Sequence, residues 1–445
     1  MDVSEVRVAH ARLLVIVAAV SVSAAILVLA RSYTFYFDEW TFILSAPDWT
    51  WATLLKPHNE HPVMLTRAIY ATLLRTVGLR SYVPYMAVLL ALHAANVVLM
   101  FEVVRRRAGE LVAVSCAALL MLLGAGWEDL LWAFQIQFVG SVACGLGMLL
   151  ALQGRGSRRN LLIAAALLTA SLMFSGVGLF FGAAAAVQLG VSGRVRDLVW
   201  FGPTAVAIAV WFVAFGRGGG TASALSLGDV AALPIYVLWG LGTSVGGLVG
   251  VAGWPAMAIL FLAALAVAVA WRREGVDPFA LGLAAGVVTF YAVTGLIRVQ
   301  LGYQQSGASR YTYVAAVFWL LLLADAARRL PWRGTWRPAL AACLFLACFS
   351  SGVLLLEFGA AKAIQMQRQV ADLQALATVR GDPCLDPTGA ADPFVMPVET
   401  SPASYYRAID RYGDPATGLP LVDRADFEQA RANLLKPGCA SRLLH

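Results

Sequence analysis

Charge is scarce in this sequence. Asp, Glu, Lys and Arg make up 13% of its 445 residues, about half the share carried by a soluble domain. Hydrophobic residues make up 60% and the mean hydropathy is +0.73, more apolar surface than an aqueous fold can hide. A soluble domain is excluded, and lipid is expected as the solvent for most of the chain. Cysteine is rare too, six in all. With no C-x-x-C and no His/Cys spacing, zinc is not indicated. The scarce charge does not form a basic face either. The net charge of +7 sits in short Arg clusters between apolar runs, which excludes nucleic acid as a partner and marks cytoplasmic ends of membrane spans.

What is present is a succession of apolar runs. The first, Leu13 to Ala30, follows Arg7 and Arg12, so the N-terminus is expected in the cytoplasm. Later basic clusters at Arg105–Arg107, Arg155–Arg159, Arg194 and Arg196, Arg272 and Arg273, and Arg328 to Arg337 then fix the crossings. All of them fall inside only if the run from Ala231 to Val251, which holds Pro234 and repeated Gly, is broken or interfacial and does not cross. The expected fold is an all-α polytopic membrane protein in the inner (plasma) membrane, a bundle of about eleven transmembrane helices over residues 1–356. Residues 31–81 form a large first extracytoplasmic loop, whose end from Val63 to Leu79 is expected as an interfacial amphipathic helix. The polar stretch 357–445 is expected as a small extracytoplasmic domain. Its two cysteines, Cys384 and Cys439, are expected to pair in that oxidising compartment, whereas Cys116, Cys144, Cys343 and Cys348 fall in apolar runs and read as packing residues.

Polar chemistry gathers in the outer loops. Tyr36-Phe37-Asp38-Glu39-Trp40 places adjacent carboxylates where the chain leaves the first span. A carboxylate in such a semi-apolar rim suits a general base, and the same pair also serves as an ordinary helix cap at a membrane exit. Lys56-Pro57-His58-Asn59-Glu60-His61-Pro62 follows in the same loop, held from helix by its prolines. It reads as a patch of donors for sugar hydroxyls or phosphate, or as a solvated loop; its His spacing is weak as a metal site. Glu128-Asp129 opens the next outer loop, and on a helix Glu128, Trp132 and Gln135 would share one face. Rings beside amides and carboxylates bind sugars, although Trp residues here also fit an interfacial belt. The last outer loop, from Arg298 to Tyr311, has two Arg and no acid. Arg310 is placed to hold a phosphate or to anchor to lipid headgroups.

Taken together, Asp38-Glu39 in a large first outer loop, the interfacial helix, about eleven spans before an outer tail, and Ser309-Arg310-Tyr311 ahead of a span resemble the GT-C superfamily of integral-membrane glycosyltransferases. That superfamily includes protein O-mannosyltransferases, the lipid A aminoarabinose transferase and actinobacterial cell-wall arabinosyl- and mannosyltransferases. The resemblance implies a cavity open to the outer leaflet and a polyprenyl-phosphate sugar donor. The acceptor would be a wall glycan, a lipid-linked glycan or a protein, and transfer would proceed with inversion. It implies Asp38 as catalytic base, Glu39 as its helper, and His58, Glu60, His61, Glu128, Gln135, Arg310 and Tyr311 as substrate contacts. No cofactor is implied, and a divalent metal is left open. A transporter or flippase for lipid-linked sugars is the first rival, disfavoured by the near absence of ionisable residues inside the apolar runs. An O-antigen ligase and a non-catalytic envelope-assembly protein are the others.

Overall fold

A computed structural model of the chain describes residues 3–46, 50–154, 156–218, 225–328, 336–388, 396, 400–436 and 439. Arg155, Arg329 and Arg333 of the basic clusters lie outside the described residues, as do the side chains of Arg7 and Arg337. The described residues form helices and no strand, beyond two isolated bridges. In chain order the helices are α1 (Val3–Leu29), α2 (Glu39–Ser45), α3 (Trp51–Leu55), α4 (Met64–Thr76), α5 (Val83–Ala108), α6 (Glu110–Met121), α7 (Glu128–Leu131), α8 (Ile136–Leu152) and α9 (Arg158–Phe174). They continue with α10 (Gly178–Val191), α11 (Gly202–Ala214), α12 (Leu227–Gly247), α13 (Pro255–Glu274), α14 (Pro278–Arg298), α15 (Ser309–Ala327), α16 (Trp336–Thr378), α17 (Pro402–Tyr412) and α18 (Arg424–Leu434). Nine of the described helical segments are long and apolar enough to cross a membrane, and α6 and α10 are shorter apolar helices. The chain is an all-α, multi-pass membrane protein.

The bundle is built around α15, where every residue from Tyr311 to Leu322 is buried. Around it α1, α11, α13 and the first half of α16 turn large apolar side chains outward, among them Leu14, Val210, Phe261 and Phe345. In lipid that exposure is solvation, and apolar burial no longer drives helices together. Close approach does so instead: Gly140 of α8 lies where a Cβ would come within 2.7 Å of the Phe174 ring of α9, and Gly286 of α14 sits equally close to Phe318 of α15.

The described basic clusters gather at one end. Arg107 reaches Asp277 at 2.7 Å and Asp325 at 3.2 Å, while Arg328 reaches Asp277 at 2.7 Å and Asp325 at 3.0 Å. Asp277 is also the N-cap of α14, accepting from the Phe279 amide at 2.8 Å. Arg272 and Arg273 end α13 just before it. Glu102 joins Arg12 and Arg105 at the same end, at 2.6 and 2.8 Å. The acids Asp38, Glu60 and Glu128 lie at the other end.

α12 is a continuous helix despite Pro234, not the broken segment expected. Its contacts nevertheless stay near that acidic end. Leu233 and Tyr236 pack on Gly295 near the end of α14, Thr243 on Gly307, and Gly247 on Ala125 and Thr312. From Leu233 to Gly247 the helix therefore meets the acidic ends of α14 and α15, although it is itself one of the nine helices long and apolar enough to cross. In its last turn Ser244 accepts from the Trp319 indole at 3.1 Å.

Two further features differ from expectation. The proposed boundary at residue 357 falls inside α16, which runs unbroken for 43 residues. The apolar runs also hold a buried polar cluster: His93 Nδ1 lies 2.9 Å from the Tyr313 hydroxyl, and Asn96 donates to that oxygen and to the Val139 carbonyl, both at 3.0 Å. Beyond α16, Cys384 and Cys439 are bonded, and α17 docks on the first loop, with the Tyr405 ring 5.5 Å from Trp40.

Candidate functional site

The chain leaves α1 through Tyr33, whose hydroxyl donates to the Gly359 carbonyl of α16 at 2.7 Å. Phe37 then takes a left-handed backbone, φ 46°, which a residue with a Cβ adopts only under constraint. That turn separates the two carboxylates. Glu39 points inward and is wholly buried. It accepts from the Tyr70 hydroxyl at 2.6 Å, the Tyr82 hydroxyl at 3.0 Å and the Tyr36 amide at 2.8 Å. Burial pushes its carboxyl up to about 7, against those hydrogen bonds and the Lys362 charge. With its oxygens taken, Glu39 ties α2, α4 and the start of α5 together. This placement differs from the substrate-facing role expected for it. Asp38 is the exposed member, its side chain a quarter accessible, with His58 Nε2 3.6 Å away.

The His58–His61 segment is a tight turn, as its prolines predict. The amides and carbonyls of His58 and His61 bond reciprocally at 3.1 and 3.0 Å, with Asn59 at φ 49°. The His58 ring sits edge-on to Phe42 and Phe134 at 5.3 and 5.2 Å. His61 packs on Phe138 at 5.5 Å. Burial holds the His61 imidazole down to about 4; Glu60 opposes this, and His58, Arg298 and Arg310 reinforce it. His61 is therefore neutral at ordinary pH. Glu60 reaches across to Arg298 at 2.8 Å and joins the first outer loop to the last.

Arg310 does not stand without an acid, as its own loop implied. Glu128 comes from another loop: its Oε1 is 3.7 Å from the Arg310 guanidinium, its Oε2 accepts from the Arg310 amide at 3.0 Å, and its own amide donates to Ser309 Oγ at 3.0 Å. The helical face expected for Glu128, Trp132 and Gln135 does not form. α7 stops at Leu131 because Trp132 is extended, φ −141° and ψ 112°. Gln135 is buried with no partner on Oε1, and the buried Tyr311 ring lies 5.9 Å from Phe290. Asp129 is fully buried, and neither oxygen accepts from another residue. Burial and then Glu128 push its carboxyl well above the usual range.

Sequence reasoning missed Lys362. It lies in α16 beyond the expected end of the last span, buried, with its ammonium 3.5 Å above the Tyr36 ring and 5.6 Å from Trp132. It donates to Gln365 at 3.0 Å, and Gln365 donates to the Tyr36 hydroxyl at 2.8 Å. Tyr36 is the hub: burial raises its phenol, and Glu128 and Asp38 raise it further, which places both carboxylates within range of that ring. The only signal for Lys362 in the sequence was a lone cation shortly after an apolar run.

Among the described residues no three His, Cys, Asp or Glu side chains converge to hold a metal ion. Comparison with protein-family models, curated proteins and solved structures finds no match. The arrangement offers one accessible carboxylate beside an imidazole, one buried ammonium, and two guanidinium groups each joined to a carboxylate. Four chain segments meet there.

Proposed function

We propose that the chain is a membrane glycosyltransferase that moves a sugar from a polyprenyl-phosphate donor to an extracytoplasmic acceptor with inversion. The observation that carries this is the convergence of Asp38, His58, Glu128 with Arg310, and Lys362 around Tyr36 at the end opposite the basic clusters. By the positive-inside rule the basic end is cytoplasmic, which puts the cluster on the outer face of the inner membrane. With α12 not crossing, the count is about eleven spans.

In the reaction, Asp38 accepts the proton of the acceptor hydroxyl. The freed oxygen attacks the anomeric carbon from the side opposite the phosphate. The carbon–oxygen bond to phosphate breaks, and its electron pair leaves with the polyprenyl phosphate. Lys362 and Arg310 balance the charge on that leaving group. Arg310 can grip two phosphate oxygens where Lys362 acts as a point charge. His58 keeps Asp38 oriented, and Glu39 fixes the loop beneath both.

A flippase is the second reading, and the buried His93–Asn96–Tyr313 cluster favours it. One experiment separates the two: membranes carrying wild-type or Asp38→Asn protein, with lipid-linked glycans and wall polymer followed by mass spectrometry. Asp38→Asn keeps the shape and loses the base, so transfer should fall roughly 10²–10⁴-fold while expression holds. Transfer near the wild-type rate sinks the catalytic assignment, and donor trapped on the inner leaflet supports flipping.

A further inference from the structure

A polar groove runs away from the site between α16 and the tail helix α18. Its inner hollow, about 540 Å³, is lined by Trp127, Lys362, Arg368 and, across from them, Asp426. A second hollow of about 430 Å³ shares Arg368 and Asp426 and continues to Gln429 and Asn433. Together they follow α16 from Phe358 to Asp372, about 21 Å at the helical rise. At the inner end Trp127 and Phe358 stack at 5.2 Å, an aromatic platform. There too the Lys362 ammonium, which makes one hydrogen bond where it can make three, joins the groove to Tyr36 and so to Asp38.

The geometry points to this groove as the binding cleft for the acceptor, a linear hydroxyl-rich glycan whose growing end lies at Lys362 and Tyr36. This rests on the transferase reading and narrows its acceptor. A small acceptor would need only the inner hollow. The outer stretch presents amides, the carboxylates of Asp372 and Asp426 and a guanidinium, the donors and acceptors that hydroxyls match. The cleft's two cations, Lys362 and Arg368, are matched by two carboxylates, Asp372 and Asp426, so it does not demand a strongly anionic chain. An extended peptide would seek an unpaired strand edge, and the described residues along the groove are helical.

The test uses the full chain in lipid nanodiscs and neutral linear arabinan, mannan, galactan and glucan oligosaccharides, each in short and long forms, with binding read by calorimetry. For one series, long chains should bind wild type more tightly than short ones. Gln429→Ala with Asn433→Ala should weaken the long form roughly tenfold, the loss of one or two hydrogen bonds, and leave the short form unchanged. Both positions are exposed on a helix that alanine suits, so the variant folds. Binding that ignores length in every series, or that weakens equally for short and long forms, overturns the proposal. Asp38→Asn separates the two claims. Length-dependent binding with transfer intact in that variant keeps the groove and removes Asp38 as the base, and length-dependent binding with no transfer by wild type keeps the groove and removes the transferase. Transfer lost in it, with no length dependence in wild type, does the reverse.

Discussion

Glu39 and Asp38 are neighbours with opposite electrostatic fates. Glu39 shifts from 4.5 unfolded to about 7 folded, so between those values the folded chain holds a proton that the unfolded chain has released. Its contribution to stability is therefore complete below about pH 4.5 and is lost as pH rises through about 7. At roughly 1.4 kcal/mol per unit, that amounts to roughly 3 kcal/mol. Glu39→Gln removes this titration and should flatten its part of the curve, leaving the fall from Asp129, which runs in the same direction. Thermal midpoints of detergent-solubilised protein from acid to neutral pH measure it, and parallel curves for the two proteins would show that Glu39 carries no such shift. Which of the adjacent acids faces inward was not legible in the sequence. It turns on one backbone angle at Phe37, and composition carries no trace of that. The acid beside Arg310 was not legible for a related reason, because Glu128 comes from a loop some 180 residues away.

Among the elements, the amphipathic α4 and the basic helix ends were legible, because periodicity and charge clustering survive without tertiary information. α12 was not legible. Its Pro and Gly content predicted a broken segment, yet it is one unbroken helix, long and apolar enough to cross, and its glycines let it press against Tyr291 and Met257. The length of α16 was not legible, since nothing in the polar sequence after Leu356 marks a stop. The tail hangs on that helix and on the Cys384–Cys439 bond, which closes a separation of 55 residues. By the loop-entropy relation the bond is worth about 4 kcal/mol. Cys384→Ser should therefore loosen α17 and α18 and with them the contact of Tyr405 on Trp40. Limited proteolysis should cut the tail of the variant first, while a tail as resistant as wild type would show that packing alone holds it.

For the molecule as a whole, the separation of basic and acidic ends fixes an orientation that can be checked directly. In a background without the four unpaired cysteines, single cysteines at Arg272 and at Trp51 should label from opposite sides of intact cells, Trp51 from outside. Labelling of both by one impermeant reagent would invalidate the arrangement. The tie between loop and tail has a consequence in time. Gly78, at φ 74°, leaves no room for a side chain beside the Tyr412 carbonyl, which accepts from the Leu79 amide at 2.9 Å. Tyr33, Tyr36 and Trp40 likewise rest on Gly359, Gln365 and Tyr405. A ribosome delivers the first loop early and these partners last. Asp38 therefore waits through the synthesis of nearly the whole protein, and a nascent chain arrested after α16 has every spanning helix and Lys362 but lacks the tail contacts of Tyr405 and Tyr412 that brace the first loop.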